Sequence, residues 1–132
     1  MRHVILIVLG LAIGIIGTVM AMNALNSGPH LPQSVMTLQE FHAHALDTNI
    51  KQNHCAATDN LPHLQTLRAL SNDIEPAFLP IGDEQGFRQK ASNLRASIDA
   101  ALVVPPADCA ALGAAITRIS RECKGCHDQF KH

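Results

Sequence analysis

Two cysteines and a histidine near the end of the chain stand at a spacing with specific chemistry: Cys123-Lys124-Gly125-Cys126-His127. Thiols three places apart on a helix share one face, close enough together to add across the two vinyl groups of a single porphyrin. The adjacent imidazole can then turn to the iron. Cys-x-x-Cys alone would also admit zinc or a redox disulfide, and the histidine directly after the second cysteine selects covalent haem attachment. A zinc ribbon needs a second close pair of thiols, whereas Cys55 and Cys109 are isolated from one another in sequence. The reading is one covalent haem c per chain, held by Cys123 and Cys126, with His127 as the proximal iron ligand.

The elements that position this motif are helical. Leu112, Ile116, Ile119, Cys123, Cys126 and Phe130 recur at intervals of four and three, so both cysteines sit on a core seam and the porphyrin inserts among the helices. Three earlier segments carry the same periodicity. The first places Val35, Leu38, His42 and Ala45 on one seam, with Met36, Ala43, Leu46 and Ile50 beside it. The second offers Leu64, Leu67, Ser71, Ile74 and Phe78, with Asp59 and Asn60 as its caps. The third, opened by Gly82-Asp83, offers Phe87, Ala91, Leu94, Ile98 and Ala101. The breaks at 54–60, 80–82 and 104–106 are short, which predicts an all-α, antiparallel up-down-up-down four-helix bundle over residues 32–132. The lack of Trp and Tyr, with an Ala- and Leu-rich composition, agrees with helices over strands.

Ahead of the bundle, Val4 to Met22 is an unbroken apolar run, about long enough to cross a bilayer. Arg2 and the amino terminus before it remain cytoplasmic by the positive-inside tendency, which delivers the rest of the chain to the far side. A cleaved signal would have a shorter apolar region ending in small residues at alternate positions, and the exit here reads Ala21-Met22-Asn23-Ala24-Leu25. Residues 1–25 are therefore read as a membrane anchor in preference to a signal segment, and 26–31 as a tether.

The bundle resembles the class II cytochromes c, the cytochromes c prime. Their tail commonly reads Cys-Lys-x-Cys-His-Asp followed by an aromatic and a base, as in Cys123-Lys124-Gly125-Cys126-His127-Asp128-Gln129-Phe130-Lys131 here. Their first helix often carries Arg-Gln, two residues, Leu or Met, then Thr-Leu, and this chain has Pro32-Gln33-Ser34-Val35-Met36-Thr37-Leu38, with Pro32 in place of the arginine. The resemblance implies that Met36 faces the distal side of the haem as sixth ligand of a low-spin iron. Helix geometry points to the same residue. In the proposed topology His127 lies about 7.5 Å from the bundle end and Met36 about 6 Å, whereas His42, about 15 Å along, misses the iron plane.

Cys55 and Cys109 fall at the bundle end away from the haem, and outside the cytoplasm they are expected to pair, or else to remain two free thiols. His54 and His63 read as surface histidines. No Asp or Glu pair has a spacing for acid–base catalysis, and Thr37 and Gln39 are the polar groups read as near Met36, so enzyme chemistry is not expected. The expectation is a periplasmic electron carrier, with NO or CO binding as the alternative. Its partners are redox proteins and, through the first helix, the inner membrane. A homodimer is compatible with the bundle, and a formal charge of -1 gives no reason to expect a nucleic-acid surface. If residues 1–25 remain attached as an anchor, the protein stays with membranes through a high-salt wash. A soluble mature chain beginning near Leu25 would show cleavage instead.

Overall fold

A computed structural model describes residues 2–26 and 31–130, in two compact units, Met1–His30 and Leu31–His132. The first contains one helix, α1 (Arg2–Asn26), whose large apolar side chains from Val4 to Met22 are exposed. Its stretch Arg2–Met22, 21 residues of mean hydropathy 2.8, spans about 32 Å at 1.5 Å per residue and meets the length requirement for a bilayer. A signal sequence would meet it too. Of the expected tether, residues 27–30 lie outside the described residues.

The second unit comprises α2 (Leu31–Lys51), α3 (Ala57–Leu70), a single turn α4 (Ile74–Ala77), a 3-10 turn over Ile81–Asp83, α5 (Gln85–Val103) and α6 (Cys109–Phe130). Each long helix packs on its sequence neighbour, and α6 closes the ring against α2, giving the up-down-up-down bundle. Pro32 is accommodated in the first turn of α2, where a missing N–H costs nothing. On α5 the buried residues are Phe87, Ala91, Leu94, Ile98 and Ala101, the seam that periodicity predicts.

Three expectations need correction. The second helix is broken: α3 stops at Leu70 and the chain turns through Ser71–Asp73 before α4. Ser71 donates its hydroxyl to the Leu67 carbonyl at 2.6 Å, and Pro76, lacking an N–H, cannot carry an α-helical ladder through the turn. Ser71 and Ile74 nevertheless stay buried, so the elbow preserves the inward face. Gly82 does not open α5. It lies in the 3-10 turn so close to α4 that a Cβ there would strike the Glu75 carbonyl. Nor do Asp59 and Asn60 cap α3, which begins earlier, at Ala57. Asn60 is buried and acts inside the turn: its amide donates to the carbonyls of His54 (3.1 Å) and Ala56 (2.8 Å), while its oxygen accepts from Asn49 (3.1 Å).

Polar clamps brace the elbow. Arg95 on α5 makes a two-pronged pair with Glu75, at 2.8 and 2.6 Å, and donates to the Ser71 carbonyl at 3.0 Å. The Arg95 hydrogen bonds hold the Glu75 carboxyl below its ordinary range. One turn on, Arg68 meets Asp99 at 2.6 Å. At the other end, Cys55 in the α2–α3 turn is bridged to Cys109 at the start of α6, with Cα atoms 5.0 Å apart. These are not the cysteines of the Cys-x-x-Cys-His motif. Replacing Cys55 and Cys109 together by Ser is expected to lower stability by about 4 kcal/mol in the chain-entropy model, read as a fall in the denaturant midpoint.

Candidate haem site

Helix α6 begins on Asp108, whose carboxylate accepts the Ala111 N–H at 2.7 Å, satisfying an otherwise orphaned donor of the first turn. Leu112, Ala115 and Ile119 are buried, and Cys123, Cys126 and Phe130 continue the seam as half-buried residues packed on the same core. The antiparallel partner of this last stretch is the start of α5. Phe130 packs edge-on to Phe87 with centroids 5.3 Å apart, and Phe78 lies 5.6 Å beyond. The Phe130 ring also lies over Gly86, 3.6 Å from where a Cβ would stand, an ordinary contact distance. Lys90, one turn further along α5, brings its amine to 3.6 Å from where a Cβ of Gly125 would lie, against the motif itself.

Cys123 and Cys126 are free thiols on one side of α6. Burial pushes both above the ordinary thiol range, with Lys90 opposing it weakly at Cys126. Such thiols stay protonated at neutral pH, unlike the low-pKa pair of a disulfide oxidoreductase. His127 is exposed on the following position. Met36 on α2 is half-buried and packs on the same core as the two cysteines.

Two residues of α2 depart from the expected seam. Leu38 is 48 % exposed, and the core position is taken by Gln39, 8 % exposed, between Val35 and Leu46. The Gln39 Nε2 has no hydrogen-bond partner among the described residues. A buried amide donor without an acceptor is costly in an apolar core, and it lies one turn from Met36. The donor set fits a haem: paired protonated thiols on one face, an imidazole beside them, and a buried polar group wanting an acceptor. Simple periodicity assigned the seam to Leu38 because leucine is apolar. The signal that could have favoured Gln39 is its spacing of four from Val35 and seven from Leu46.

His63 is also misplaced by the sequence reading. It is half-buried on α3, and its Nδ1 lies 3.0 Å from Nδ1 of His42. Neither histidine belongs to the residues around Cys123 and Cys126.

A helical bundle that closes on a covalent-attachment Cys-x-x-Cys-His motif is the architecture of a class of c-type haem proteins. A family model described as Cytochrome C' matches residues 31–131, all but the last residue of the second unit, and the chain belongs to the cytochrome c' family, whose members hold haem c covalently. Among solved structures it is similar to cytochrome c' from Rubrivivax gelatinosus, with 26% sequence identity, coverage of 76% of this chain and 91% of that one, and a TM-score of 0.62. No curated protein gives a significant match.

The histidine pair makes stability depend on pH. Burial lowers the His42 pKa from its ordinary 6.5, and a charge on His63 lowers it further. Below about pH 6.5 the unfolded chain takes up a proton that the folded chain resists, so the fold loses stability as pH falls through this range. Denaturant midpoints at about pH 7.5 and about pH 5 should show this loss, and His42→Gln should flatten it.

Proposed function

We propose that the chain is a periplasmic electron-transfer cytochrome with one haem, tethered to the inner membrane by α1. The observation that carries the reading is topological: α2 begins and α6 ends at the same end of the bundle, so Met36 and the Cys123–Cys126 pair, each packed against the core, lie at matching depth. Cys123 and Cys126 would hold the haem, His127 would supply the fifth ligand and Met36 the sixth. When bound, the haem supplies a one-electron iron couple, and Met ligation raises its potential. The protein's part is to keep the thioether seated: Met36 leaves a rigid α2, flanked by buried Val35 and Gln39, so its reach is set by the bundle and not by a loop. Phe87 and Phe130 pack apolar surface around the motif, which limits water there. The positive Lys90 amine beside Gly125 favours the reduced iron and gives an acidic redox partner a point of attraction.

A second reading, uptake of NO or CO on the distal side, is favoured by one observation, the unpartnered Gln39 amide, since a buried donor can stabilise a polar diatomic ligand.

Met36→Leu decides between them. The swap conserves volume and should cost under about 1.5 kcal/mol. In an electron carrier the variant loses the low-spin spectrum, binds CO readily and shows a lowered potential, while His42→Ala changes none of these. A wild-type protein that is already high-spin, with no spectral effect of Met36→Leu, would transfer the assignment to gas binding.

A further inference from the structure

His42 on α2 and His63 on α3 face one another across the bundle's first hairpin. Their Nδ1 atoms are 3.0 Å apart, their ring centroids 5.2 Å apart, and the Phe41 ring stands edge-on to His42 at 5.1 Å. Both are half-buried, and neither comes from a loop. The register that opposes them is pinned at the hairpin turn, where Asn49 meets Asn60, Asn60 holds the carbonyls of His54 and Ala56, and Cys55 is bridged to Cys109. Two turns back along α2 from Asn49 and one turn on along α3 from Asn60 come the two imidazoles. A pair of ligating nitrogens is thus held close together before any ligand arrives, which lowers the ordering cost of binding.

We propose that His42 and His63 form a two-histidine site for a divalent transition-metal ion, with Cu2+ bound more tightly than Zn2+, separate from the haem residues. Metal–imidazole bonds of about 2.0–2.1 Å, at angles between square and tetrahedral, set cis nitrogens roughly 2.8–3.4 Å apart. The observed separation lies inside that window; the two rings, with centroids 5.2 Å apart, now aim almost directly at one another, so each swings by roughly 40° about its side-chain bonds to share an ion while the helices stay in place. In the neutral pair one ring carries Nδ1–H and donates it to the other. Moving that proton to Nε2 of the same ring turns both Nδ1 lone pairs inward and releases no net proton. No group of three or more His, Cys, Asp or Glu forms a metal site among the described residues, so water completes the coordination and the ion exchanges readily. Imidazole nitrogens suit both ions, and the order of divalent affinities places Cu2+ above Zn2+. His42 lies six positions beyond Met36, about 9 Å along α2, which leaves the proposed iron ligands undisturbed.

The test uses the full-length, haem-loaded protein in detergent, with His3→Gln in every version so that the histidine nearest the amino terminus does not compete. Cu2+ alone is titrated by calorimetry, and the bound ion is examined by electron paramagnetic resonance. One Cu2+ per chain, coupled to two nitrogens, is the expected result. His42→Gln and His63→Gln should each weaken it by at least about 10-fold, the scale on which even outer-shell ligand partners act. His44→Gln and His54→Gln should leave it unchanged. Should a pair variant fail to fold, the parent alone still decides, because a site that favours the folded state raises Tm on adding Cu2+. Equal binding by both pair variants, or a parent with no Cu2+-dependent rise in Tm, overturns the proposal.

Discussion

Burial along α6 is graded, and the rest of the molecule is arranged around that gradient. Leu112, Ala115 and Ile119 are enclosed by the other helices, while Cys123 and Cys126, on the same seam, are only half covered. A helix that remained fully enclosed to its end would present no reactive side chain, and one that left the bundle would lose the apolar surface a porphyrin needs. The end of α6 avoids both extremes because the start of α5, with Gly86, Phe87 and Lys90, covers one side of it. The elbow between α3 and α5 supports this indirectly: Arg95 gathers Glu75 and the Ser71 carbonyl, and Phe78 beyond the elbow stacks on Phe87. The aromatic wall beside the motif therefore depends on an ion pair about two turns down α5.

Along α5, periodicity predicts the buried face well. All five expected core positions of α5 are buried, and the order of the long helices was legible because it rests on local periodicity and on the proline- and turn-rich stretches between them. Residues whose roles depend on distant partners were not. Leu38 and Gln39 are adjacent, and hydrophobicity alone selects the leucine, yet the bundle turns Gln39 inward. Asn60 resembles a cap in sequence, but its three hydrogen bonds run to a turn and a helix whose approach no local pattern encodes. The meeting of His42 with His63 likewise requires the register of α2 against α3. The break after Leu70 was announced by Ser71-Asn72-Asp73 and Pro76, turn chemistry overridden in the reading by an apolar spacing that continued through it.

Polar groups in this core serve geometry more than stability. Asn60 and Ser71 are enclosed and hydrogen-bonded, Ser71 to the Leu67 carbonyl and Asn60 to two carbonyls and the Asn49 side chain, fixing where helices turn. Gln39 differs, since its amide is enclosed without an acceptor. The first two define the scaffold and the third stands without a partner among the described residues, a distinction invisible to any scale that ranks side chains by polarity alone.

The bridge between Cys55 and Cys109 also determines which sulfur atoms can meet. Four cysteines admit three complete pairings, and two of them would join Cys123 and Cys126 to Cys55 and Cys109. Cys109 and Cys123 stand at opposite ends of one rigid helix, about 21 Å apart along its axis. Exchange between the bridge and the motif therefore requires the bundle to open. Once folded, the chain has separated its sulfur atoms by distance: Cys55 and Cys109 are bridged at one end of α6, and Cys123 and Cys126 stand as free thiols beyond the bridge's reach.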